Sequence, residues 1–429
     1  MRVLLIGGGG REHALAWRLA ESPLVERLYA APGNPGMARH ATCVPIGVDA
    51  HDELLALAER ERIDFTVIGP EAPLVAGLAD RFAERGLLAL GPTRDAARLE
   101  GSKAFAKRLM LEHGIPTARS ETFEDLSSAT RYYRHRYAAT SAPLVVKADG
   151  LAAGKGVVVC STFQDAVTAT EGMMQGRFGP AGRRVVAEEF LEGQEVSFFA
   201  LSNGVDAVVL GVAQDHKTVL DGDRGPNTGG MGTCSPVPGF DEHAERRVMD
   251  TIVTPTLTAL AKGGAPYRGV LFVGLMMTAA GPKVLEFNCR FGDPECQVLV
   301  ARLGEDLVPL LHAAARGERL PGRVALRPVA AVCVVLASGG YPGDYRTGLP
   351  IDGVDEAERL AGVRVFHAGT AQREGRLVTA GGRVLGVTAS AASIAPAIAR
   401  AYEAAGRIRF EGMHYRRDIG RRMLEAEAG

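Results

Sequence analysis

The run Val145-Val146-Lys147-Ala148-Asp149-Gly150-Leu151-Ala152-Ala153-Gly154-Lys155-Gly156-Val157-Val158-Val159 constrains this chain more than any other segment. Two β-branched stretches flank a loop of small residues, so the segment reads as strand, loop, strand. Glycines let backbone N–H groups approach an anion with no Cβ in the way, and lysine adds a point charge. Gly150, Gly154 and Gly156 with Lys147 and Lys155 therefore have the chemistry of a nucleotide-phosphate clamp; a plain hairpin with a pliable tip is the competing reading. A Walker A loop is excluded, because only three residues separate Gly150 from Gly154 and Gly156 stands where a Mg²⁺-binding Ser or Thr is needed.

At 429 residues the chain is too long for one core, so several domains are expected. Lys plus Arg (49) balance Asp plus Glu (50), which removes the general electrostatic case for nucleic acid or an anionic membrane. The six cysteines have no CxxC spacing, so reduced thiols and a cytoplasmic location are expected. Met1 is followed at once by strand-like Val3-Leu4-Leu5-Ile6, with no room for a signal peptide, and no apolar stretch is long enough to span a membrane.

Residues 1–102 alternate short apolar runs (Val3-Ile6, Arg27-Ala31, Phe65-Ile68, Leu87-Leu90) with helical patterns at 12–20, 51–60 and 73–85. Strands separated by helices mean a parallel sheet. One helix is predicted over Leu99 to His113, ended by Gly114-Ile115-Pro116, with a hinge across 103–122. Segment 123–192 holds a helix at Leu126–Arg136, the opening strand-loop-strand, a helix at 165–174 and the strand Val185-Val186-Ala187. Segment 193–327 is strand-rich, with a long helix at 242–261 and a Gly/Pro/Thr-rich stretch at 215–240 that is too long for an idle connection. A last unit, 328–429, opens on Val329-Leu336 and holds a helix at 391–405.

The first glycine-rich loop, Gly7-Gly8-Gly9-Gly10, opens a helix and suits an anion there, although a tight turn explains it equally well. Its spacing lacks the third glycine of a dinucleotide fingerprint, and no acidic residue ends the second strand, so NAD(P) is rejected. Gly8 and Gly9 remain phosphate or sugar candidates. Glu71 sits at a strand end where open α/β sheets bind ligands, within reach of sugar hydroxyls. In Glu188-Glu189-Phe190-Leu191 a strand runs into a turn whose backbone can pair with a purine edge, with Glu195 placed for a ribose; a solvated hairpin is the bland alternative. Glu286 and Asn288 alternate onto one strand face, giving two oxygen ligands for Mg²⁺ bridging phosphates; Arg290 follows on that face and would neutralise transferring phosphoryl charge. A buried ion pair is the structural alternative. Asp215 and Lys217 point one way if extended, with His216 as scenery, and Asn227, Thr228, Gly229 and Gly230 shape either a substrate cradle or a turn.

Eight strings in order, GGREHALAW, GPEAPLV, LEGSKAF, KADGLAAGKGV, QDHK, GPNTGGMG, EFNCRFGDPE and GGYPGDY, resemble the phosphoribosylamine-glycine ligase (glycinamide ribonucleotide synthetase) family of the ATP-grasp superfamily. Cys296 stands where that family's pattern suggests threonine, and Gly7-Gly10 lacks its usual small polar residue. The resemblance implies an α/β and α+β multidomain chain. A Rossmann-like parallel-sheet substrate domain (1–102) is followed by a linker (103–122), an ATP-grasp lid (123–192), a central catalytic domain (193–327) and a mixed α/β C-terminal domain (328–429). It further implies that Lys103 and Lys147 approach ATP phosphates, that Gly150 to Gly156 form a mobile lid loop, that Glu188 to Leu191 face adenine, and that Glu195 takes the ribose. Glu286 and Asn288 would hold Mg²⁺ or Mn²⁺.

The activity so implied joins glycine to 5-phosphoribosylamine through glycyl phosphate, with Arg290 and the lysines stabilising phosphoryl charge and Asp215 the least implausible base. Another ATP-grasp purine enzyme, using formate or bicarbonate, is the alternative. Small-molecule partners, no nucleic acid, no membrane and a monomer are expected.

Overall fold

The computed structural model describes residues 1–152, 156–177 and 179–428. The N-terminal unit is a parallel sheet of β1 (Arg2–Gly7), β2 (Arg27–Pro32), β3 (Thr42–Cys43), β4 (Phe65–Ile68) and β5 (Ala89–Leu90), in the order β3-β2-β1-β4-β5. Val3 to Ile6 are wholly buried because helices cover both faces of a parallel sheet. The helix predicted over 73–85 is two, Glu71–Val75 and Leu78–Glu84, separated at Gly77, whose φ of +86° no L side chain adopts easily. The helix predicted over Leu99 to His113 is also two, Arg94–Gly101 and Lys103–Glu112. Ser102 breaks it by taking extended φ/ψ and accepting the Phe105 N–H on its Oγ, which caps the second helix.

A four-stranded antiparallel sheet comes next, built from β6 (Ser120–Phe123), β7 (Leu144–Ala148), β8 (Val157–Cys160) and β9 (Val185–Glu189) in the order β6-β9-β7-β8. Tyr133, Leu144, Val146, Val185 and Ala187 form a core of its own. The opening run is therefore the β7-β8 hairpin. Ala153, Gly154 and Lys155, on which part of the clamp reading falls, lie outside the described residues.

The rest is dominated by one eight-stranded antiparallel sheet. Its strands are β10 (Gln194–Asn203), β11 (Ala207–Asp215), β14 (Gly232–Ser235), β15 (Arg268–Thr278), β16 (Gly281–Asn288), β17 (Ala330–Ala337), β18 (Val363–His367) and β21 (Arg383–Ala391). The order is β16-β15-β10-β11-β14-β17-β21-β18. The hairpins β12 (Thr218–Leu220) with β13 (Arg224–Asn227), and β19 (Thr370–Arg373) with β20 (Arg376–Thr379), stand off it. Hydrogen bonding through β14 and β17 carries the sheet across position 327 into the last unit. β17 is apolar and buried at every position, as a central strand covered on both faces must be. All six cysteines are free thiols, and no helix among the described residues is long and apolar enough to cross a membrane.

Candidate active site

The ends of β4, β7, β11 and β16 meet around a group of lysines and carboxylates. Lys103 begins its helix beside the β7 end: its Nζ donates to the Gly150 carbonyl at 3.1 Å and its N–H to the Asp149 carbonyl at 2.9 Å. Asp149 returns a carboxylate to the same helix, accepting the Ala104 N–H at 2.7 Å and the Ser102 hydroxyl at 2.9 Å. Burial lowers the Lys103 ammonium from its ordinary value, opposed by Glu286 and helped by Lys147. Lys147 Nζ sits 3.0 Å from Glu188 Oε2 and donates to the Leu285 carbonyl at 3.0 Å.

Glu188 is expected against a purine edge, yet its side chain is buried on the Lys107 and Lys147 ammonium groups, each at 3.0 Å. Period-two alternation turns it inward and leaves Glu189 outward, paired with Arg119 (2.9 Å) and Lys283 (3.4 Å). Phe190, next along the segment, is exposed.

Lys217 lies 3.0 Å from Glu195 and 4.0 Å from Glu286. Asp215, on the same face as Lys217, lines a small cleft with Glu195, Ser197, Lys217 and Leu285. Glu195 first, then Glu286 and Asp215, hold Lys217 charged against its burial. Burial favours the neutral form of Glu286, but Lys217, Lys147 and Lys103 outweigh it and hold the carboxyl below its usual range. Asp215 goes the other way: burial and the nearby Glu295 carboxylate raise it well above the usual range. Glu295, pushed up by burial, accepts the Ser197 hydroxyl at 3.0 Å.

Arg290 is a hub. Its Nε donates to Glu71 at 3.0 Å, one terminal nitrogen to Glu100 (2.8 Å) and Asn288 Oδ1 (3.2 Å), and the other to the Phe291 carbonyl (3.2 Å). Each guanidinium nitrogen is engaged, so Arg290 sits in the kind of buried ion-pair arrangement that is the structural alternative at this strand. Glu71 is held at about 2, Arg290 and Arg11 overcoming burial. Asn288 has its oxygen on Arg290 and a buried Nδ2 without a partner among the described residues.

Among the described residues no three His, Cys, Asp or Glu side chains could hold a metal together. Glu286, held ionised, suits a hard cation that completes its shell with phosphate and water, whereas Asn288 Oδ1 is engaged by Arg290 and would have to leave it to join that shell.

The first glycine loop is largely structural. Glu12 folds back so that Oε2 accepts the Gly9 N–H at 2.8 Å, filling the helix N-terminus with the chain's own carboxylate. Gly69 has no Cβ because one would lie 2.2 Å from Glu12 Oε1. Gly8 packs on the Gly33 carbonyl, and Gly9 and Gly10 pack toward Asp293 and Gln297. In the 225–232 stretch, Thr228 Oγ donates to the Lys217 carbonyl (2.8 Å) and accepts the Gly230 N–H (3.0 Å), the Gly229 N–H donates to Tyr341 Oη (3.1 Å), and Asn227 ends β13 opposite Thr218. Arg383, from β21, donates to the Gly229 and Asp293 carbonyls. His216 is scenery, its ring bonded to Gly232 and Gly420.

Sequence reasoning missed Glu100, Lys107, Glu295 and Arg383. Glu100 lies within the same short string as Lys103 and Glu295 closes the string that holds Asn288, so both had a local signal; Lys107 and Arg383 gain their places only through tertiary contacts.

A four-stranded antiparallel sheet that sets Lys147 beside the acidic end of β16 has the arrangement of an ATP-grasp enzyme. Sequence models of the phosphoribosylglycinamide synthetase N domain, ATP-grasp (A) domain and C domain match residues 1–100, 101–296 and 331–422. The chain is 52% identical over 427 residues to the phosphoribosylamine–glycine ligase of Agrobacterium fabrum, covering 100% of both. It superposes with a TM-score of 0.84 on the crystal structure of phosphoribosylamine–glycine ligase from Thermotoga maritima, at 37% identity over 98% of this chain and 100% of that one. Biotin carboxylase from Campylobacter jejuni shares the fold alone, with a TM-score of 0.74 at 15% identity over 99% of this chain and 95% of that one. The chain belongs to the phosphoribosylglycinamide synthetase family and is an ADP-forming ligase of the ATP-grasp kind.

Proposed function

We propose that the residues gathered here join glycine to 5-phosphoribosylamine, converting ATP to ADP and phosphate and giving glycinamide ribonucleotide, a step of purine biosynthesis. The observation that carries the reading is one carboxylate, Glu286, kept ionised among Lys103, Lys147 and Lys217. Such a centre suits phosphoryl transfer, where catalysis is mostly positioning and charge stabilisation.

A glycine carboxylate oxygen attacks the γ-phosphorus, the bond to ADP breaks, and glycyl phosphate forms. The ribosylamine nitrogen then attacks the carbonyl carbon, phosphate leaves with the bonding pair, and the nitrogen gives up a proton. Lys103 and Lys147 bind the triphosphate and spread its charge; Lys155 is assigned the same work from sequence alone. Phe190 and the backbone through Leu191 bind adenine, and Glu195 exchanges Lys217 for the ribose hydroxyls. No residue is nominated as general base; Asp215 lines the cleft with Glu195 and Lys217, and Lys217 orients the carboxylates around it. Glu71 takes a hydroxyl of the phosphosugar, held for this by Arg290, and residues 227–230 line its cradle. Glu286 and Asn288 would hold Mg²⁺ or Mn²⁺, which supplies charge neutralisation on the phosphates. The protein is read as a monomer in the cytoplasm.

The test is isotopic. With glycine carrying ¹⁸O in its carboxylate, one labelled oxygen should appear in the released phosphate. Unlabelled phosphate would rule out the acyl phosphate.

A further inference from the structure

Glu188 Oε2 lies 3.0 Å from Lys147 Nζ and 3.0 Å from Lys107 Nζ, and its other oxygen is buried with no partner among the described residues. Lys147 is the lysine proposed to bind ATP phosphates, and the role of Lys107 rests on that assignment. Lys107 itself has no part in the proposed ligation. It stands one turn beyond Lys103 on the same helix face. Its ammonium also donates to Thr117 Oγ at 2.8 Å and to the Ala118 carbonyl at 3.4 Å, while the Thr117 hydroxyl donates to the Val284 carbonyl at 2.7 Å. The ammonium is thus fixed between the linker helix, the segment entering β6 and, through Thr117, β16. Burial pushes Lys107 down to about 8, against the pull of Glu188.

We propose that Lys107 is a positioning residue: by keeping Glu188 neutralised, it lets Lys147 exchange that carboxylate for the oxygens of ATP. A buried carboxylate deprived of every counter-ion is strongly disfavoured. Were Lys147 the only partner of Glu188, its move to phosphate would strand an anion beside the arriving triphosphate. With Lys107 in place the carboxylate stays paired throughout, and the two lysines and one carboxylate carry one surplus positive charge for the nucleotide.

The experiment measures KM for ATP, kcat and melting temperature for K107M, E188Q, K107M/E188Q and K147M in the full chain. K107M removes the surplus charge, and its KM for ATP should rise by roughly tenfold or more, with kcat changing less, as expected when a buried charge loses its partner. The double variant restores that surplus and should return KM to within about threefold of the parent. E188Q frees Lys147 and should leave KM no higher than the parent. An unchanged KM in K107M while K147M raises it, a well-folded double variant no better than K107M, or a tenfold rise in E188Q would overturn the inference alone. An unchanged KM in K147M would overturn the assignment of Lys147 to phosphate and the inference with it.

Discussion

Arg290 Nε lies 3.0 Å from Glu71 Oε2, which ties the residues just past β16 in the central sheet to the first residue of the helix after β4. The same guanidinium reaches Glu100 at 2.8 Å, so one buried cation joins the N-terminal unit to the strand bearing Glu286 and Asn288. Glu71 and the end of β16 are thereby tied to one guanidinium.

This pairing has a pH signature. Glu71 has a folded value of about 2 against an ordinary 4.5, burial being outweighed by Arg290 and Arg11. Its stabilising contribution is fully present above 4.5 and is lost as pH falls from there toward about 2. Melting temperature should therefore fall more steeply over that window in the parent than in Glu71→Gln. Parallel melting curves down to the acid limit would contradict the ionic role of Glu71.

Glu286→Ala should keep the fold and lose about 100-fold or more in ligation rate at saturating ATP and metal, because the site works mainly by placing charge. Steady-state rates beside far-UV circular dichroism check this. A folded variant with an undiminished rate would remove Glu286 from the phosphoryl-transfer centre.

His216 should add an acid sensitivity of the same sign at higher pH. Its Nδ1 bonds the Gly232 carbonyl and its Nε2 accepts the Gly420 N–H, so a proton on Nε2 has nowhere to go. Burial first, then Arg416, holds it at about 4 instead of 6.5, with Arg422 acting likewise and Asp418 opposing. The unfolded chain therefore takes up a proton that the fold refuses, and stability declines as pH drops from 6.5 toward 4 while staying flat above. His216→Asn should cost roughly 1–2 kcal/mol at pH 8 for the altered hydrogen bonds and show a shallower decline below 6.5. Denaturant melts at a series of pH values decide it.

Much of the fold and site was legible in the chain because the informative segments are short and local. The Val145-to-Val159 run forms the β7-β8 hairpin, and Glu286 and Asn288 share a face of β16 as period-two alternation requires. What local pattern could not convey was which partner each charge would meet. The Gly7-Gly10 loop suited an anion or a tight turn equally well, and Glu12 supplies the anion from within. For Arg290 the chain left a phosphoryl contact and a buried ion pair both open, and its partners Glu71 and Glu100 come from distant segments. Ser102 interrupts what reads as one helix because its hydroxyl serves the backbone better as a cap than as an interior residue.

ADP release with glycine and freshly made 5-phosphoribosylamine, omitting each substrate in turn and replacing glycine by formate or bicarbonate, tests the proposed ligation most directly. Release should require ATP, glycine and the ribosylamine together and fall to background when any one is left out or when formate or bicarbonate stands in for glycine. Equal turnover with formate or bicarbonate, or ADP release unaffected by leaving out the ribosylamine, would contradict it.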